Sequence, residues 1–307
     1  MRSKDFLSIS DVTIEELEAL LDKALDIKKH PDQYRQALAG QTLAMIFQKP
    51  STRTRVSFEV GMWQLGGYAL YLSGTDLQIG RGETIADTAR VLSRYCDGIM
   101  ARVFAHADIE ELGKWATVPV LNGLSDLTHP CQAAADFLTL KERHAKLAGL
   151  KLAYVGDGNN VAHSLLLAGA KLGVSVYVAS PSRYRPSAQV IERAAGDAQR
   201  TGARLAVVER PEDAVKDADA IYTDVWTSMG QEKEKQERLK AFAGFQVSPA
   251  MMKLAKPGCV FMHCLPAHRG EEVAAEVADS PQSVIFDEAE NRLHAQKAIM
   301  VELMGKR

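Results

Sequence analysis

The stretch LAGLKLAYVGDGNNVAHSL (147–165) decides the fold. A short apolar run, 151–156, ends on Gly156-x-Gly158 and gives way to a helix-like segment. It opens a series of similar runs at 151–156, 174–179, 204–208, 219–223, 259–263 and 283–286, each read as a strand. Upstream lies a matching series: TLAMIF (42–47), GYALYL (67–72), GIMAR (98–102) and VPVLNG (118–123). Helix-like stretches near 11–29, 53–66, 84–95 and 107–116 separate them. The segment PCQAAADFLTLKERHAK (130–146) opens with Pro130 and reads as a long helix. Strands alternating with helices predict an α/β protein. The expectation is two similar lobes, each a parallel sheet flanked by helices. The boundary is expected near 147–150, giving domains 1–147 and 148–287. A final helix, about 288–307, is expected to pack back on the first domain.

In open parallel sheets ligands bind beyond the carboxyl ends of the strands. Polar clusters fall at those ends here: QKPSTRTR after 47, DLQIGRGET after 72, Arg102, LTHPCQ, GDGNN, TDVWTSMG and HCLPAHRG. In QKPSTRTRVSFEV (48–60), Pro50 ends the extended segment and Ser51 or Thr52 caps the helix that follows. Val56, Val60 and Trp63 are expected to form that helix's packing face. Its first turn offers unpaired N–H groups and the positive end of the dipole. Ser51, Thr52 and Thr54 add hydroxyls, and Arg53 adds a forked cation. Together they make an anion cradle suited to phosphate. A capped helix with two solvated arginines is the plainer alternative. Arg55, two positions on, diverges around the helix and is expected to make a structural ion pair.

His129 and Gln132 straddle a helix start, and Arg102 ends a strand. Three such donors can polarise one carbonyl and stabilise an oxyanion; a His capping its own helix is the plainer reading. Gly156-x-Gly158 suggests a dinucleotide fold, but Val161 stands where the third glycine belongs. The next strand also lacks a ribose-binding acid, which disfavours NAD. Asn159 and Asn160 can instead read a carboxylate or an amine. Asp224, at a strand end, suits an ammonium. His263, Cys264 and His268 lack the partners of a closed zinc site. Strand alternation would turn His263 away from Cys264.

The net charge of −2 gives no footprint for nucleic acid or an anionic membrane. No apolar run approaches the roughly 20 residues that span a bilayer, and the first residues lack a signal-peptide core. Four cysteines without framework spacing imply reduced thiols and a cytoplasmic protein.

Taken together, STRTR, HPCQ, DVWTSMG and HCLP, in this order and at these separations, resemble the aspartate/ornithine carbamoyltransferase family, on its ornithine-using side. The resemblance covers essentially the whole chain. It implies a carbamoyl-phosphate lobe followed by an amino-acid lobe. It also implies transfer of the carbamoyl group of carbamoyl phosphate to the δ-amine of L-ornithine, giving L-citrulline and phosphate, in arginine biosynthesis. Carried over, Ser51, Thr52, Arg53 and Thr54 hold the phosphate. Arg102, His129 and Gln132 hold the carbamoyl oxygen and phosphate. Cys264 and the Leu265 carbonyl lie near the carbamoyl NH2 and the attacking amine, and Arg292 closes on carbamoyl phosphate. The catalytic set is Arg102, His129, Gln132 and Cys264. Asn160, Asp224, Ser228 and Met229 match ornithine ligands. Gln78 resembles a residue that reaches a neighbouring subunit's site, implying a homotrimer or a multiple of trimers. Carbamoyl phosphate is already activated, so no metal or organic cofactor is expected. Arg81 stands where the aspartate-using relative carries lysine before GET, which, with SMG intact, favours ornithine.

Overall fold

The computed structural model describes residues 1–74, 82–144, 146–228 and 232–305. Contacts divide the chain into two units, Met1–Leu138 with Glu290–Arg307, and Thr139–Ala289.

The first unit contains α1 (Ile14–Lys29), β1 (Thr42–Phe47), α2 (Thr52–Gln64), β2 (Tyr68–Ser73), α3 (Ile85–Tyr95), β3 (Gly98–Arg102), α4 (His106–Trp115) and β4 (Val120–Leu124). It continues into α5 (Pro130–Arg143), and the division between units falls inside that helix. Its four strands are parallel, in the order β2-β1-β3-β4. The second unit holds β5 (Lys151–Val155), α6 (Asn160–Leu172), β6 (Ser175–Ala179), α7 (Ala188–Thr201), β7 (Leu205–Val208), α8 (Pro211–Val215) and β8 (Ala220–Thr223). After these come α9 (Lys235–Ala241), α10 (Pro249–Met252), β9 (Val260–His263), α11 (Ala275–Ala278) and the start of α12 (Ile285–Met304). Its five strands are also parallel, in the order β7-β6-β5-β8-β9.

The central strands of both sheets are buried along nearly their whole length, as parallel strands covered on both faces must be. That is why they read in the sequence as continuous apolar runs rather than alternations. In each sheet the strand order reverses once, between β1 and β3 in the first unit and between β5 and β8 in the second. A parallel sheet opens a crevice at that point, where its connections leave toward opposite faces. The backbone N–H of Gln48, just past β1, donates to the carbonyl of Arg102 at the end of β3 (2.9 Å). Thr223 Oγ1, at the end of β8, donates to the carbonyl of Val155 at the end of β5 (2.6 Å).

Two local expectations change. The run 283–286 is not a strand: Ser283 makes an isolated bridge to Phe261, and α12 begins at Ile285. Val284 and Ile285 are buried there, and Asp287 and Glu288 supply the acidic first turn that suits a helix N-terminus. On α2 the buried residues are Thr54, Phe58, Gly61 and Met62. Val56 and Trp63, expected to face inward, are 49% and 76% exposed. Among the described residues no helix is long and apolar enough to cross a membrane.

Candidate active site

In the first unit, Ser51 caps α2, its Oγ accepting from the N–H of Thr54 (3.3 Å) and donating to Thr54 Oγ1 (3.1 Å). Arg53 lies in the first turn, half-buried. Arg55 turns aside to pair with Glu59 (3.0 Å) and to stack on Tyr71, 3.9 Å from the ring centroid. Arg102 closes β3 and is buried, as are His129 and Gln132 at the start of α5. Arg292, on α12, joins these clusters. Its Nη1 donates to Gln132 Oε1 (2.5 Å) and its Nη2 to Thr54 Oγ1 (3.4 Å). Its Nε is buried with no hydrogen-bond partner among the described residues. Gln132 Nε2 donates in turn to Asp136 (2.7 Å), so the glutamine is held where it orders the arginine.

The electrostatics follow from this crowding. Burial pushes His129 well below the ordinary value of 6.5, and the guanidiniums of Arg292, Arg102 and Arg53 push it further down. The ring is therefore neutral through the physiological range and can donate a hydrogen bond without carrying charge. The proton balance sets a pH signature: the unfolded chain takes up a proton near its ordinary value that the folded ring refuses. Stability is present above that pH and is lost as pH falls through it toward the depressed folded value. We expect His129→Asn to shed this part of the acid-side loss in melting temperature between roughly pH 7 and 5. Wild type and variant losing stability in parallel would refute it. Cys131 in the same turn is structural: its Sγ donates to the carbonyl of Asn122 (3.3 Å), and burial raises the thiol to about 12.

In the second unit, Asp224 follows β8 and is buried. Its Oδ2 accepts from Asn159 Nδ2 (2.8 Å), and its Oδ1 accepts from the N–H of Val225 (2.8 Å) and the thiol of Cys264 (3.1 Å). Asn159 also caps α6, its Oδ1 accepting from the N–H groups of Val161 (2.9 Å) and Ala162 (3.2 Å). Asn160 begins that helix, half-buried, and Ser228 is half-buried beyond Asp224. Leu265 adopts φ +58°, and the peptide bond that follows it is cis. Met229 and Gln78 lie outside the described residues. Gly158, the residue that invited a dinucleotide reading, is explained by packing. A Cβ there would lie 2.2 Å from the backbone nitrogen of Pro186, and its N–H donates to the carbonyl of Tyr184 (2.8 Å).

So the STRT, Arg102, HPCQ and Arg292 clusters meet in one unit, and GNN, Asp224 and HCLP meet in the other. The model of the aspartate/ornithine carbamoyltransferase carbamoyl-P binding domain matches residues 4–142, and that of the Asp/Orn binding domain matches residues 148–303. This chain belongs to the aspartate/ornithine carbamoyltransferase family. It is 60% identical over 307 residues to the ornithine carbamoyltransferase of Thermococcus kodakarensis, covering 99% of this chain and 98% of that one. It is 58% identical over 307 residues to the anabolic ornithine carbamoyltransferase of Pyrococcus furiosus, with 99% and 98% covered. The solved ornithine carbamoyltransferase structure from P. furiosus superimposes with a TM-score of 0.95 at 59% identity, covering 98% and 96%.

Beyond the residues carried over from the carbamoyltransferase family resemblance, the geometry adds Asn159, which holds Asp224, and His263. The sequence singles out Asn159 with Asn160 at the helix start; His263 reads there as turned away from Cys264, although its ring partners Leu265 and Glu272 lie only two and nine residues on. Two groups could hold a metal ion among the described residues, Asp224 with His263 and Cys264, and His268 with Glu271 and Glu272, each with ligand atoms within 4.8 Å of one another. In the first group the Asp224 oxygens and the thiol already bond each other or nearby donors.

Proposed function

We propose that the protein transfers the carbamoyl group of carbamoyl phosphate to L-ornithine, forming L-citrulline and phosphate for arginine biosynthesis. The observation that carries this reading is the full-length likeness, near 60% identity, to chains named ornithine carbamoyltransferase, with DVWTSMG intact. On this reading the first unit takes carbamoyl phosphate. Ser51, Thr52, Arg53 and Thr54 hold the phosphate, with Gln78 supplied by a neighbouring subunit. Arg102, His129, Gln132 and Arg292 address the carbamoyl oxygen and phosphate. The second unit takes ornithine through Asn160, Asp224, Ser228 and Met229, and Cys264 with the Leu265 carbonyl serves the carbamoyl NH2 and the amine.

The chemistry gives each group a role. The δ-amine must be neutral to attack, and free alkyl amines titrate near the lysine value of about 10.4. The negatively charged oxygen that develops on the carbamoyl carbon is met by Arg102 and the neutral His129, preorganised donors in a dry setting. Phosphate departs into the α2 N-terminus, whose orphan N–H groups and dipole favour an anion. A homo-oligomer, and within it a trimer, is proposed from the family resemblance. A cytoplasmic location is proposed with it.

The test is incubation of the purified protein with carbamoyl phosphate and, separately, ornithine, N-acetylornithine, putrescine and aspartate, reading ureido product and phosphate. Citrulline from ornithine alone is expected, with a rate that rises with pH as the amine loses its proton. Product from another amine would displace ornithine. Binding of carbamoyl phosphate with no product from any amine would favour a binding module on the same fold.

A further inference from the structure

We propose that His263 is a positioning residue: held by Glu272, its ring fixes the backbone turn that aims the Cys264 thiol and the Leu265 carbonyl. The inference rests on the carbamoyl transfer proposed above.

His263 ends β9 and is fully buried. Its backbone N–H donates to Glu288 Oε2 (3.0 Å), and Glu288 Oε1 accepts from the hydroxyl of Tyr222 on β8 (3.1 Å). The residue is thus anchored before its ring is considered. Its Nδ1 lies 2.8 Å from the N–H of Leu265, and a backbone N–H can only donate. Nδ1 is therefore the acceptor, and the proton of the neutral ring sits on Nε2. Nε2 lies 3.2 Å from Glu272 Oε1, which accepts it. Glu272 is itself fully buried, and the same oxygen accepts from the N–H of His268 (2.5 Å). A carboxylate on one side and an amide on the other leave the imidazole one tautomer and one orientation.

What the ring holds is a conformation that the chain avoids on its own. Leu265, with φ +58°, sits in the left-handed region, which a residue with a Cβ rarely adopts. Such conformations persist where the surroundings over-determine them. The bond from Leu265 N–H to Nδ1 closes a tight turn over 263–265. That turn fixes where the next carbonyl and the intervening thiol point. The ring is not a base for Cys264. Ligand atoms of His263, Asp224 and Cys264 lie within 4.8 Å of one another, but the Nδ1 lone pair is taken by Leu265 and Nε2 carries the proton. The thiol proton goes to Asp224 Oδ1 instead.

Asparagine and glutamine separate these roles. The side-chain oxygen of asparagine occupies the place of Nδ1 and can accept from Leu265; the longer glutamine places its polar atoms near Nε2. The experiment measures kcat and KM for both substrates, with melting temperature, in His263→Asn, His263→Gln and Glu272→Gln. We expect His263→Gln to lose kcat on the order of a hundredfold, as a misplaced reacting group does, with His263→Asn recovering to within about tenfold of wild type. Glu272→Gln, which keeps an acceptor oxygen but can also turn an amide N–H toward the ring, should lose kcat by less than His263→Gln. If Asn and Gln fall alike, or if kcat loss simply follows melting temperature, the positioning role is wrong. A base role would cripple Asn as fully as Gln and would overturn it too. Wild-type protein that makes no citrulline would sink the transfer reading and this inference with it. Active wild type with indistinguishable variants would sink this inference alone.

Discussion

Replacing Arg53 with alanine should lower kcat by about a hundred- to a thousandfold, the usual cost of one lost anion-stabilising donor. The fold should not suffer. Arg53 is the second residue of α2, after the cap Ser51, where the helix dipole is positive. A cation there is repelled by about 0.3–1 kcal/mol, which offsets part of any loss of melting temperature on its removal. Arg55, two residues on, pairs with Glu59 and stacks on Tyr71. The same dipole that opposes Arg53 favours an anion beside it. Near-normal turnover in a well-folded variant would remove it from the phosphate site. A fall in melting temperature matching the loss of activity would make its role structural.

Asp224→Asn should raise the KM for ornithine by on the order of ten- to a hundredfold, the range for losing a charged hydrogen-bond partner. Carbamoyl phosphate binding should change far less. The carboxylate is already oriented by Asn159 Nδ2, the Val225 N–H and the Cys264 thiol. Asparagine cannot accept at both former oxygens, so one of these donors faces an amide N–H and the cation loses its counter-charge. Isothermal titration with each substrate separates the two halves. Equal weakening of both would take Asp224 out of the amine pocket.

The strand series and the clusters at the strand ends were legible because buried parallel strands leave unbroken apolar runs and a crevice can only be furnished from loops. What was not legible depends on which helix face packs, on the turns that end a strand or open a helix, and for Arg292 on contacts with remote residues. Val56 and Trp63 carry an apolar pattern that reads as core, yet Phe58 and Met62 take the inward face and leave Trp63 exposed. Val284 and Ile285 look like a strand until the acidic turn after them is weighed. Arg292 could be placed only by resemblance, since nothing local in AENRLHA says that it reaches Gln132 and Thr54, 160 and 238 residues away in sequence. His263 reads in the sequence as a residue facing away from Cys264. Alternation along β9 gives that expectation, and the tight turn after the strand undoes it.

The place of Arg292 in the chain also sets a schedule. The first unit is assembled from two separated segments, and the second from the continuous stretch between them. During synthesis from the N-terminus, the second unit is available in full while the first still lacks Glu290–Arg307, and with them the guanidinium that bridges Thr54 and Gln132. Domains fold largely as their chain emerges, so the unit begun first is the one finished last. A nascent chain stalled after Ala289 and extended by a neutral linker should protect the second unit from protease while leaving the proposed phosphate cradle without its tie. Equal protection of both units at that length would show that the first does not wait.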